Sequence, residues 1–282
     1  MTAHELVTQA ENLPLLSHAA LRLANLLGHD TRANHELVEI IRCDSLITAR
    51  LLRACNSPLF GFAQPVESMD QAVLLLGHQK ILQLVLTLSF GSALSCALPG
   101  YGVEANELWH HSLTTAMTAE MIARNHPDLD ADPSTAFTCG LLHDIGKLLL
   151  HQVLTPETQS AIRAKISERI SSADAETLVL GVDHSAVGAC LLGSWNLPGS
   201  IVEAVANHHQ PVLNPIPKLS AITHLADCLA HLAGSSPGWE SFAIHVDPGV
   251  SGALGLSPEK LERMVIGVRD FSEVVQQFMT MK

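Results

Sequence analysis

The sequence predicts an all-α protein, and three observations carry that reading. Leu, Ala, Ile and Val dominate an apolar fraction of 47%, while aromatic residues make up only 4%. No long stretch alternates apolar with polar residues, the signature of a half-buried strand. Apolar positions recur instead at three- and four-residue spacing behind residues suited to N-caps. At 282 residues the chain forms one large or two smaller packed units.

The elements follow in order. Ser17 can cap a helix carrying Ala20, Leu21, Leu23, Ala24 and Leu27, which stops at Gly28. Asn34 opens a second helix with Leu37, Val38, Ile40 and Ile41, and Asp44 caps a third with Leu46, Ile47, Leu51 and Leu52. Breakers from Asn56-Ser57-Pro58 to Gln64-Pro65 mark a loop. Ser68 and Gln71 form a capping-box pattern ahead of Ala72, and Gly77 separates that helix from the run at 81–98. This run has no charge over eighteen residues, close to the spanning threshold of about 20. It also contains Gln83, Thr87, Ser89, Gly91, Ser92 and Ser95 and lacks flanking basic or aromatic belts. A buried core helix, not a membrane span, is the expectation.

Pro99-Gly100-Tyr101-Gly102 is the clearest break, and further helices are expected near 105–125, 134–151, 156–170, 173–180, 184–194, 198–209 and 217–233. A second break falls at 234–238. Beyond it Ser257-Pro258-Glu259 starts a helix with proline at its first position, followed by a stripe of Leu261, Met264, Val265, Val268 and Phe271. The segments are therefore 1–100, 101–233 and 234–282. No phosphate-binding loop, nucleophile elbow or dinucleotide fingerprint is present.

Charge narrows the function classes. The net charge is −12, and the sixteen Lys and Arg residues are scattered, which argues against nucleic acid as a partner. Cysteines 43, 55, 96, 139, 190 and 228 show no C-x-x-C pairing, and most sit in apolar stretches. They read as buried free thiols in a reducing compartment. The opening MTAHELVTQAENLP lacks the regions of a signal peptide, so a cytoplasmic location is expected.

The chemistry sits in the middle of the chain. Glu107 and His111 share one helix face, as a surface pair or as ligands of one centre. His143-Asp144 interrupts an apolar helical stretch from Cys139 to Leu150. Burying that pair costs several kcal/mol unless a metal or other partners compensate. His184 begins a helix, although Asp183 equally suits its cap. His208-His209 ends a helix, where imidazoles also suit the negative pole. Asp227 lies in a further apolar helix, with His224 and His231 on its face as competing local partners. Imidazole and carboxylate are ligands for Zn, Mn or Fe, and a two-cation cluster is equipped for phosphoester hydrolysis.

Taken together, the order H…HD…H…HH…D resembles the HD superfamily of metal-dependent phosphohydrolases, and within it the HDOD family of bacterial signalling output domains. The resemblance runs over about residues 10–232. It is carried by Leu13-Pro14, residues 44–52, Asn56-Ser57, residues 72–77, Trp109-His110-His111-Ser112, residues 140–147, residues 183–188 and residues 224–227. It implies an N-terminal helical subdomain packed on an HD-type bundle, with a C-terminal helical extension. Related HD-GYP phosphodiesterases imply roles residue by residue. His111, His143, Asp144 and Asp227 form the metal core, with Asp144 bridging two ions. His184, His208 and His209 serve the second ion, Glu107 is the extra acid of trimetal forms, and Lys147 stabilises phosphoryl charge. After His209 the chain continues Gln210-Pro211 and lacks the longer glycine- and tyrosine-containing segment that helps those enzymes hold substrate. The implied function is a regulatory binding module with two ions (three in trimetal forms), signalling proteins as partners and a nucleotide as a further candidate. A nucleotide phosphohydrolase, with Asp144 and Lys147 catalytic, is the alternative.

Overall fold

Helices form every long regular element of the computed structural model, which describes residues 2–9, 22–23, 33–168, 170–211, 216–239 and 245–280. Among these the only β pairing is an isolated bridge between Leu98 and Val103. The N-terminal subdomain contains α1 (Ala3–Gln9), α2 (Ala33–Arg42), α3 (Ser45–Cys55) and α4 (Met69–Leu94). The helix expected behind Ser17 lies outside the described residues, apart from Arg22 and the buried Leu23.

Local chemistry sets these ends. Asp44 accepts from the backbone N–H groups of Leu46 and Ile47 at 3.1 and 3.0 Å, starting α3. Ile47 and Leu51 are buried, whereas Leu46 faces solvent. Ser68 accepts from Gln71 N–H at 3.2 Å, but Gln71 Oε1 returns to the N–H of Glu67 rather than to the cap itself. Gly77, at φ 76° and ψ 161°, breaks α4 in a conformation essentially reserved for glycine. Beyond the break, Ile81 through Thr87, Phe90, Ala93 and Leu94 are buried. By length and composition α4 could cross a membrane, yet the interior of the protein accounts for its apolar run.

The bundle comprises α5 (Glu107–Asn125), α6 (Pro133–Leu142), α7 (Lys147–Val153), α8 (Pro156–Ser167), α9 (Ser172–Leu180), α10 (His184–Ser194), α11 (Gly199–Ala206) and α12 (Lys218–Leu232). α5 lies along both α6 and α12, and α11 joins α10 to α12. The single helix expected over 134–151 is two, because the chain leaves helical pairing at His143 and resumes it at Lys147. The turn presses against α10. A Cβ on Gly146 would collide with the carbonyl of His184 and lie 2.6 Å from the nitrogen of Gly188.

The C-terminal extension adds α13 (Pro248–Ala253), α14 (Pro258–Arg269) and α15 (Ser272–Thr280). Ser257 caps α14 with Pro258 at its first position, as expected. α14 packs on α12, and α15 packs on α5. One apolar cluster runs from Leu6, Ile41 and Leu51 through Leu84 and Phe90 to Leu113, Leu141, Leu148, Val187 and Ile201. The N-terminal helices thus share a core with the bundle, and residues 98–103 are a turn between packed units. All six cysteines are free. Cys55, Cys139 and Cys228 are buried, while Cys43 and Cys96 are exposed, contrary to the expectation for those two.

Candidate metal centre

Five separate elements deliver imidazoles and carboxylates to one place. α5 brings His111, the α6–α7 turn brings His143 and Asp144, and α10 opens with His184. His208 and His209 follow α11 directly, and α12 brings Asp227 and His231. His111, His143, His184 and His208 are 0% exposed, and Asp144 and Asp227 are 1% and 2% exposed. The turn at 143–146 brings two consecutive side chains, His143 and Asp144, into the cluster together.

Asp144 sits at the centre. Its Oδ2 accepts from Lys147 Nζ at 2.7 Å and lies 3.4 Å from His143 Nε2 and 3.8 Å from His111 Nε2. Its Oδ1 lies 3.3 Å from His184 Nε2 and 3.9 Å from His208 Nε2. Asp227 Oδ1 is 3.0, 3.3 and 3.6 Å from the Nε2 atoms of His111, His231 and His143. Four overlapping groups of three or four such atoms lie within 4.8 Å of one another: His111/His143/Asp144, Asp144/His184/His208/His209, His111/Asp227/His231 and His143/His208/Asp227.

The tautomers follow from the other ring nitrogen. His111, His143 and His208 place Nδ1 2.7–2.8 Å from the carbonyls of Ser235, Gly140 and Val205. A carbonyl only accepts, so each Nδ1 carries a proton, and in the neutral ring Nε2 presents a lone pair. These lone pairs face one another and the carboxylates: His111 and His143 meet Nε2 to Nε2 at 3.2 Å, and His184 and His209 at 2.8 Å. Asp144 Oδ1, Asp227 Oδ1 and His208 Nε2 are buried without a hydrogen bond among the described residues. Such a convergence of acceptors is stable only with protons or cations between them.

Electrostatics distributes the protons. Burial disfavours charge on His143, but Asp144 and Asp227 outweigh it and raise the imidazole to about 10. Burial likewise opposes charge on His184, where Glu176 prevails and raises it to about 9. His208, penalised by burial and by charged His143 and His184, falls to about 3. Burial and its neighbours hold His209 well below the usual range. Burial would raise both acids, yet His143 and Lys147 keep Asp144, and His231 and His111 keep Asp227, far below the ordinary carboxylate value. A protonated His143 can donate to His111, and a protonated His184 to His209. His208 Nε2 has no such donor among the described residues.

Of the residues singled out in the sequence, His111, His143, Asp144, His184, His208, His209 and Asp227 meet here, with Lys147 on Asp144. Glu107 does not join them. It is exposed in the first turn of α5, and its Oε2 accepts from the N–H of Glu104 at 2.8 Å. His231 stands at the cluster instead, one turn past Asp227. His224 is committed elsewhere, donating to the carbonyl of His208 at 2.7 Å and accepting from Asp247 N–H at 3.0 Å. Asp183 does cap α10, accepting from Ala186 N–H, and His184 still turns inward. Sequence reasoning missed Glu176, fully buried on α9, whose Oε2 accepts from both the backbone N–H and Nδ1 of His184 at 2.7 Å.

Fold and centre together define an HD-type helical protein. The HDOD domain family model matches residues 13–211, and the chain belongs to that family. A protein from Shewanella amazonensis SB2B with a provisional phosphohydrolase name superposes with a TM-score of 0.72 at 23% identity, covering 98% of this chain and 97% of its own. An HDOD domain protein of unknown function from Geobacter sulfurreducens gives 0.69 at 24%, covering 99% and 95%. A provisionally named signal transduction protein from Marinobacter aquaeolei VT8 gives 0.79 at 22%, covering 100% of this chain and 61% of its own. An uncharacterized protein of Treponema pallidum (strain Nichols) is 22% identical over 238 residues, which span 83% of this chain and 45% of that relative. These likenesses establish the shared fold.

Proposed function

We propose that this chain is a regulatory module of bacterial signal transduction whose HD pocket holds two divalent transition-metal ions of the Fe, Mn or Zn class. The opposed Nε2 lone pairs carry this reading. His111 against His143 and His184 against His209 are two imidazole faces, each beside Asp144, and each is satisfied by one cation in place of one proton. The donor set of imidazole nitrogens and carboxylate oxygens suits those metals. Burial of His111, His143, His184, His208, Asp144 and Asp227 to 0–2% exposure supports a binding role, while His209 is half-buried at the edge of the cluster. Leu46, Leu74 and Leu75, exposed on α3 and α4, give the N-terminal subdomain apolar contacts for signalling proteins in the cytoplasm.

A second reading, a metal-dependent phosphohydrolase acting on a nucleotide, is favoured by Lys147 beside Asp144 and by the provisional name of the Shewanella relative. Bound cations would there acidify a water for attack on phosphorus. Metal analysis of protein purified without chelator, paired with a phosphoester panel in added Mn or Fe, separates the two. The module reading expects about two metal equivalents, no turnover, and loss of both equivalents in Asp144→Ala. Turnover abolished by that substitution selects the enzyme. Protein that binds no transition metal under any condition ends both readings.

A further inference from the structure

The four best-buried imidazoles of the cluster are not held alike. His111, His143 and His208 each rest Nδ1 on a neutral backbone carbonyl. His184 alone rests it on a carboxylate, Glu176, at 2.7 Å. The same oxygen also takes the backbone N–H of His184 at 2.7 Å, so ring and backbone are fixed by one acceptor. Neither residue has any exposed surface. The placement comes from the chain path. α9 ends at Leu180 with Gly181 as its cap, and α10 starts at His184 with an 84° bend between the two helices, which lays Glu176 against the first turn of α10. That end of a helix carries partial positive charge and favours an anion.

Charge balance gives the carboxylate a purpose beyond posture. Within the Asp144/His184/His208/His209 group the only acid is Asp144, and Lys147 already pairs with it at 2.7 Å. A divalent ion there would leave uncompensated positive charge against side chains that, His209 apart, are fully buried, which is costly. The His111 side also has Asp227 at 3.0 Å. Glu176 is the missing negative charge of the His184 side. We propose that Glu176 is a positioning and charge-compensating residue that sets the cation affinity of the His184/His208/His209 subsite and leaves the His111/His143/Asp227 subsite unaffected. The proposal rests on the cluster being a two-ion centre. A carboxylate behind an imidazole ligand fixes its tautomer and raises its basicity, and its loss typically costs about 10–100-fold in metal affinity.

Glu176→Gln tests the idea, because the amide keeps the size and one acceptor oxygen while removing the charge. Zn²⁺ binding to full-length protein is measured by equilibrium dialysis, with thermal melting as the check on folding. The expected result is two classes of site in the wild type and, in Glu176→Gln, one class weakened about 10–100-fold while the other stays within about twofold. Two sites of wild-type affinity in a folded Glu176→Gln protein would reduce Glu176 to a structural hydrogen bond and overturn the proposal. So would equal weakening of both classes. Should the variant not fold, histidine ¹⁵N spectra of the wild type decide: on Zn²⁺ loading His184 Nε2 shifts while its Nδ1–H stays protected from exchange. An unshifted His184 overturns the proposal while leaving the His111 subsite standing. A wild type that takes up no Zn²⁺, Mn²⁺ or Fe²⁺ instead overturns the two-ion reading itself.

Discussion

Asp144 and Glu107 show how differently two acids predicted for one centre can behave. Asp144 offers one oxygen to each imidazole group, so Asp144→Ala should release both ions, as metal analysis would show. Glu107→Gln should leave metal content unchanged and stability within about 0.5 kcal/mol in denaturant titrations, as for other surface substitutions. His231→Gln provides the contrast. It touches Asp227 at 3.3 Å, and we expect weaker binding on the His111 side. That His111, His143, Asp144 and Asp227 meet in one buried cluster was legible because a polar residue in an apolar helical stretch demands a partner. The choice between Glu107 and His231 was not, since each lies one turn from a real cluster member. Glu176 left no mark at all. Asp174 and Glu176 lie in the same short helix, and only the packing of α9 decides which one faces inward.

Two glycines govern how elements meet. Gly146 lets the HD turn rest on the backbone of α10, and Gly146→Ala should push His184 out of line. The expected cost is about 1–3 kcal/mol of overpacking, read from denaturant unfolding, with weakened metal uptake alongside. Gly77 holds the break in α4, and Gly77→Ala should cost about 1–3 kcal/mol by forcing a side chain into a region that only glycine occupies comfortably. The break itself was visible as a glycine between two apolar segments. The division of the expected 134–151 helix was not, because Ile145, Lys147 and Leu148–Leu150 continue a helical pattern and the reason for the turn lies in a contact with residues 184–188. The caps at Asp44 and Ser257 read correctly because the capping side chain is local, whereas the box expected at Ser68 and Gln71 closes only on its Ser68 half.

At the scale of the molecule the centre ties together helices that are far apart in sequence, so under the two-ion proposal bound metal should stabilise the whole fold. Chelation should lower the melting temperature, and added metal should raise it in proportion to the logarithm of its concentration. The sign of the pH effect differs between the two states. In metal-free protein His143 and His184, raised to about 10 and about 9 from an unfolded value near 6.5, bind more protons folded than unfolded. Their contribution is complete below pH ~6.5 and is lost as the pH rises through 9 to 10. Uptake of metal expels those protons, so binding should strengthen with rising pH. Calorimetry in buffers of different ionisation enthalpy should show up to about two protons released per filled centre. The all-α class followed from composition and periodicity and the packing of the N-terminal helices on the bundle from the family resemblance, whereas the convergence of acceptors needed three dimensions. Lys147 adds one more consequence. With Lys147 1% exposed, an acylating reagent reaches its amine only when the bundle opens, so the rate at which that single lysine is labelled clocks the breathing of the protein, and occupancy of the pocket should slow it.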